Sequence, residues 1–139
     1  MRARKILVAD DDAHMTYMLS FKLQQLGVEV IIAGDGEEAY GLACEHLPDL
    51  ILTDYQMPRL SGLEMAIQLR DNAGTRDIPV VMITARGHQV EQEDLARTNI
   101  KHLIAKPFSA QDLLSKVSEI LDASTSAVGE AGAEVPEKV

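Results

Sequence analysis

Cysteine, clustered metal-binding histidines, surplus positive charge and long apolar runs are all missing or scarce in this chain. One cysteine, Cys44, stands alone in 139 residues, which excludes an intrachain disulfide and fits a reducing compartment. His14, His46, His88 and His102 have no ligand spacing, so surface or edge roles are expected of them. The formal net charge is −9, a field that disfavours nucleic acid and anionic membrane as partners. No apolar run approaches the length of a membrane span. The basic start, Met1-Arg2-Ala3-Arg4-Lys5, is followed by too short an apolar segment for a signal peptide. A cytoplasmic protein is expected.

What is there suits one domain, with 46% of the residues apolar and 25% charged. Five short apolar runs, Ile6–Ala9, Val28–Ala33, Leu50–Thr53, Val80–Ile83 and Leu103–Ala105, alternate with helical patterns. Such alternation predicts βα units around a parallel sheet. Met15, Met18, Leu19, Leu23 and Leu26 recur at helical spacing and stop at Gly27. Asp35 with Glu38, Ser61 with Glu64 and, in weaker form, Ser109 with Asp112 have capping-box spacing. A fourth helix over about Val90–Thr98 has few apolar residues. The first, third and fourth runs are continuously apolar, as central strands are, while the second and fifth read as edges. The fold class expected is α/β, a doubly wound five-stranded parallel sheet of order 2-1-3-4-5. Residues 1–122 form its one domain, and 123–139 read as a disordered acidic tail.

Ligands of open α/β sheets bind beyond the carboxyl ends of the strands, at the topological switch point. Asp10, Asp11 and Asp12 crowd the end of the first strand, Asp54 ends the third, Thr84 the fourth and Lys106 the fifth. Each has an ordinary explanation. Asp12 or Asp11 fits a helix N-cap; Asp54 fits a turn cap; Thr84 suits a strand end; Lys106 suits a solvated surface. All four on one sheet edge point instead to phosphoryl-transfer chemistry, which needs acids, a hydroxyl and a lysine held together. Hard carboxylate oxygens favour Mg²⁺ over Zn²⁺.

With Ile6-Leu7-Val8-Ala9-Asp10-Asp11-Asp12, Asp49-Leu50-Ile51-Leu52-Thr53-Asp54, Met57-Pro58 followed by Ser61-Gly62-Leu63-Glu64, Pro79-Val80-Val81-Met82-Ile83-Thr84-Ala85 and Lys106-Pro107-Phe108, the chain resembles the receiver domains of two-component response regulators. The resemblance covers about residues 4–121 and implies the flavodoxin-like receiver fold. It implies Asp54 as phospho-acceptor from a phosphohistidine donor, with Thr84 and Lys106 binding phosphoryl oxygens. It further implies Mg²⁺ held by Asp10, Asp11, Asp54 and the backbone carbonyl of Gln56, and a cis Lys106–Pro107 bond. The implied partners are a sensor histidine kinase or histidine phosphotransfer protein and a downstream protein target. The domain would be a switch that catalyses only its own phosphorylation and dephosphorylation.

One departure stands out. Leu103 occupies the place, three residues before the lysine, where many such domains carry Tyr or Phe. Phosphorylation is expected to shift Thr84 and the loop after it without an aromatic reporter. Gln56 and Arg86 flank the path the resemblance gives to hydrolytic water, and are either tuning residues or ordinary loop residues. About eighteen residues follow the domain, so output by protein contact through the fourth helix, fifth strand and fifth helix is expected. Two other functions remain open: an unphosphorylated scaffold, and a small Asp-nucleophile phosphatase, which would want Thr rather than His14 four residues after Asp10.

Overall fold

The computed structural model describes residues 4–85 and 90–130, with side chains to residue 123. Five strands alternate with five helices: β1 (Lys5–Ala9), α1 (Ala13–Gln24), β2 (Glu29–Ala33), α2 (Gly36–His46), β3 (Leu50–Asp54), α3 (Gly62–Asp71), β4 (Val80–Thr84), α4 (Gln92–Leu95), β5 (Ile100–Ala105) and α5 (Ala110–Glu130). The strands form one sheet in the order β2-β1-β3-β4-β5, and every pairing is parallel. The expected topology is the observed one.

Burial follows from the sequence pattern. β3 and β4 are buried throughout and β1 from Ile6 onward, whereas β5 alternates half-buried and exposed residues. Successive side chains of each central strand therefore enter different cores. On one face Ile6, Val8, Leu50, Leu52, Val81 and Ile83 meet Leu19 and Leu23 of α1 and Leu113, Val117 and Leu121 of α5. On the other, Leu7, Ala9, Ile51 and Val80 meet Ala39 and Ala43 of α2 and Met65 and Leu69 of α3. Each fully buried Leu or Ile is worth about 1.5–3 kcal/mol, so β1, β3 and β4 form a stiff platform for whatever stands at their ends.

Helix ends largely follow their caps. Ser61 and Glu64 form the reciprocal capping box. Asp35 caps α2 by accepting from the Glu38 amide, but the Glu38 carboxylate accepts from Gly34 rather than closing the box on Asp35. Ser109 accepts from the Asp112 amide at 3.3 Å, one half of a box whose other half is weakened by Asp in place of Glu.

Three boundaries differ from the sequence reading. α4 spans only Gln92–Leu95 and buries no residue. Beyond it Arg97 and Thr98 donate to the carbonyls three residues back, and the Thr98 hydroxyl bonds Leu95 and Ile100, which turns the chain into β5. β5 starts at Ile100 rather than Leu103 because its amino end still pairs with Val80. α5 runs to Glu130, so the expected boundary after residue 122 falls inside a helix. The Ala- and Ser-rich, proline-free stretch 123–128 is compatible with helix. Residues 131–139 lie outside the described residues.

α2 ends on Leu47, a leucine 51% exposed and held at φ 49°. Only glycine adopts that left-handed conformation without strain, and an exposed leucine returns little packing for it. Leu47→Gly is expected to stabilise the fold by about 0.5–1 kcal/mol, seen as a higher urea midpoint at unchanged slope. A lower midpoint would show that Leu47 packs usefully.

Candidate functional site

The site stands where β1, β3, β4 and β5 end. Parallel register pairs Ala9 with Thr53, Asp54 with Ile83 and Thr84 with Ala105. Asp10 and Asp54 therefore leave neighbouring strands side by side, although they lie far apart in sequence. Lys106 follows β5 and its amide donates to the Thr84 carbonyl at 2.9 Å. That bond pins the lysine backbone to the end of β4. The Lys106–Pro107 bond is cis, as expected.

Carboxylate oxygens of Asp10, Asp11 and Asp54 all lie within 4.8 Å of one another. Asp10 and Asp54 are buried, while Asp11 is exposed. Lys106 Nζ sits 3.2 Å from Asp54 Oδ1. Asp10 Oδ1 accepts from the Asp12 amide at 3.0 Å, whereas Asp10 Oδ2 is buried without a hydrogen-bond partner. An unpartnered buried carboxylate oxygen is costly. With two more acids beside it and only oxygen donors in the group, it fits a hard divalent cation.

The electrostatics show the same strain. Burial raises the Asp10 carboxyl to about 6. The Asp12 amide pulls it down, and the neighbouring Asp54 charge pushes it up. Burial also raises Asp54, opposed chiefly by the hydrogen bond and charge of Lys106. One lysine thus compensates part of the charge of three acids.

Asp12 is the helix cap that its position suggested. Its Oδ1 accepts from the His14 and Met15 amides, so it turns away from the acid group that its neighbours form. Thr84 is buried at the end of β4. Gln56 is exposed, two residues past Asp54. Arg86 lies outside the described residues. Leu103 is 42% exposed on β5, in register with Met82. Gly62 does more than turn the chain. A Cβ there would stand 2.2 Å from the Asp54 carbonyl oxygen, so α3 can start against the acid's own backbone only at a glycine. The pair Asp35 and Arg59, 3.3 Å apart, has no counterpart in the sequence reading, because nothing in local spacing joins β2–α2 to the loop after β3.

Residues 6–118 match the response regulator receiver domain family. The chain belongs to that family. Among curated relatives, the receiver is 40% identical over 119 residues to the phosphate regulon transcriptional regulatory protein PhoB of Klebsiella pneumoniae, covering 86% of this chain and 52% of PhoB. It thus spans about half the length of the curated relatives it matches. Among solved structures it resembles the Francisella response regulator 1452 receiver domain, with TM-score 0.78 and 29% identity, covering 87% of this receiver and 98% of that chain. It also resembles the receiver domain of sensor histidine kinase PA1611 from Pseudomonas aeruginosa, a structure with a magnesium ion coordinated in the active site cleft. There the TM-score is 0.77 and the identity 25%, over 87% of this receiver and 99% of that chain. Among the described residues no helix is long and apolar enough to cross a membrane.

Proposed function

We propose that the receiver accepts a phosphoryl group on Asp54 from a phosphohistidine of a histidine kinase or phosphotransfer protein, with Mg²⁺ as cofactor. The observation that carries this reading is the convergence of Asp10, Asp11 and Asp54 with Lys106 Nζ on Asp54 Oδ1. An Asp54 carboxylate oxygen attacks phosphorus. The nitrogen–phosphorus bond breaks, an acyl phosphate forms, and the departing imidazole takes up a proton. Asp10, Asp11, Asp54 and the Gln56 carbonyl would hold the cation, as the resemblance implies. When bound, Mg²⁺ supplies positive charge that offsets repulsion between the carboxylate and phosphoryl oxygens. Lys106, already placed at Asp54, neutralises a phosphoryl oxygen, and the buried Thr84 hydroxyl offers a hydrogen bond to another.

Output through α4, β5 and α5 by contact with another protein completes the proposal. β5 presents Lys101, Leu103 and Ala105 as exposed residues, and α4 is lightly attached. The PhoB relatives are transcriptional regulators by name.

The test is mass spectrometry after incubation with Mg²⁺ and a small acyl phosphate. The parent is expected to gain one phosphoryl group and Asp54→Asn none. No gain in the parent with any donor would replace this reading with that of an unphosphorylated scaffold. Sustained turnover of simple phosphate esters would replace it with that of a phosphatase.

A further inference from the structure

The corner between β2 and α2 touches both the end of β1 and the loop that follows β3. Ala33, the last residue of β2, accepts a hydrogen bond from the Asp10 amide at 3.1 Å. Two residues on, the Asp35 carboxylate is shared. Its Oδ1 accepts from the Glu38 amide at 2.8 Å and caps α2, while its Oδ2 faces Arg59 Nε at 3.3 Å. Arg59 belongs to the loop that follows Asp54, and its backbone is left-handed at φ 72°. An arginine held there is strained and persists only where its surroundings demand it. Next in sequence, Gly36 lies against the same loop. A Cβ on Gly36 would stand 2.0 Å from the Leu60 carbonyl oxygen and 2.6 Å from Leu60 Cβ. Leu60 and Met57 also pack on the α2–α3 core. At its other end the loop is tied by the Tyr55 amide to Ile83 and by the Gly62 amide to the Tyr55 carbonyl.

The loop carrying Gln56 is therefore gripped by a helix N-terminus that is also bonded, through Ala33, to the strand carrying Asp10. We infer that Asp35, Arg59 and Gly36 form a latch that positions the Tyr55–Leu60 loop for cation binding, Asp35 and Arg59 acting as positioning residues and Gly36 as the gap that lets the two segments meet. The inference rests on the reading of Asp10, Asp11, Asp54 and Gln56 as a Mg²⁺ site. The latch touches no metal ligand side chain; it acts by limiting where the loop can go before the ion arrives, so less ordering is left for binding to accomplish.

The test uses the full chain and magnesium chloride, with affinity measured by titration calorimetry and loop order by amide exchange of Tyr55 and Leu60 in metal-free protein. Asp35→Asn keeps a good N-cap but removes the charge. Arg59→Gly removes the pair while easing the left-handed backbone. Each is expected to weaken Mg²⁺ binding about fivefold, the scale of a well-placed exposed ion pair, and to speed exchange at Leu60. Melting temperatures should stay within about 3 °C of the parent. The double variant should lose no more than either single one, since both break one contact. Arg59→Lys should restore most of the affinity. Gly36→Ala favours helix by propensity yet should weaken Mg²⁺ at least tenfold, because Leu60 must move.

Parent-like Mg²⁺ affinity in both Asp35→Asn and Arg59→Gly would overturn the latch while leaving the metal site standing. So would independent, additive losses in the double variant. A parent that binds no Mg²⁺ would overturn the metal reading and the latch with it.

Discussion

Asp10→Asn stabilises the metal-free protein at pH 7 by about 2 kcal/mol and abolishes its response to Mg²⁺. Such an outcome is expected from the buried Asp10 carboxyl, raised from 3.8 to about 6, where each pK unit corresponds to about 1.4 kcal/mol. A carboxyl with a raised folded-state pKa contributes stability that is fully present below about 3.8 and is lost as pH rises through about 6. At pH 7 Asp10 is ionised in a place that resists its charge, with Oδ2 unpartnered. Asparagine removes the charge, keeps an acceptor for the Asp12 amide and leaves its own amide group to find a partner, so the gain is less than the full shift allows. The advantage of the variant should be largest near pH 7 and shrink as pH falls from 6 to 4, where the parent protonates. Thermal melts with and without Mg²⁺ across that range check it. In the parent the ion should raise the melting temperature by linkage; in the variant it should not. A variant less stable than the parent at pH 7 would show that Asp10 finds compensation elsewhere.

Lys106→Met should slow phosphorylation of Asp54 about a hundredfold or more, the usual effect of deleting one preorganised charge at a transferring group. Methionine keeps most of the length of the side chain, so packing is largely spared. Lys106 supplies the main influences that hold Asp54 down, so the variant's Asp54 carboxyl should rise further. Folding should then weaken as pH rises and Asp54 ionises, and recover in acid, where it is neutral. The stability change at pH 8 is modest, about 1 kcal/mol, because the lysine side chain is 39% exposed and solvent screens the pair. The combination of a large kinetic loss with a small, pH-dependent stability loss distinguishes a group acting on the phosphoryl from one that only holds the fold. A rate within threefold of the parent would remove Lys106 from the chemistry.

Most of the architecture was legible because its signals are local. Continuous apolar runs marked β1, β3 and β4 as central, and the alternation in Val28-Glu29-Val30 marked an edge. Once the strand order was known, strand ends brought Asp10, Asp11, Asp54, Thr84 and Lys106 to one edge without further information. Asp12 was legible as a cap for the same reason, since N-caps act within three residues. What could not be read depends on pairs remote in sequence or on competition between near-equal local choices. Asp35 and Arg59 meet across two loops, and Gly36 is needed only because Leu60 happens to arrive there. Glu38 had two amides within reach and took that of Gly34. The end of α4 was decided by the Thr98 hydroxyl, and the length of α5 by a stretch whose residues tolerate helix without demanding it.

The bareness of α4 has a consequence for switching. A helix with no buried side chain gives up little when it shifts, so two placements of it can differ by less than thermal fluctuations readily supply. Near such a balance about 1.4 kcal/mol changes the population ratio tenfold, whereas the same input would leave β3, buried at every residue, where it is. Under the proposed function, a modest electrostatic event at Asp54 is best amplified at α4, which among the described helices has no buried residue, and leverage there comes from weak attachment more than from force.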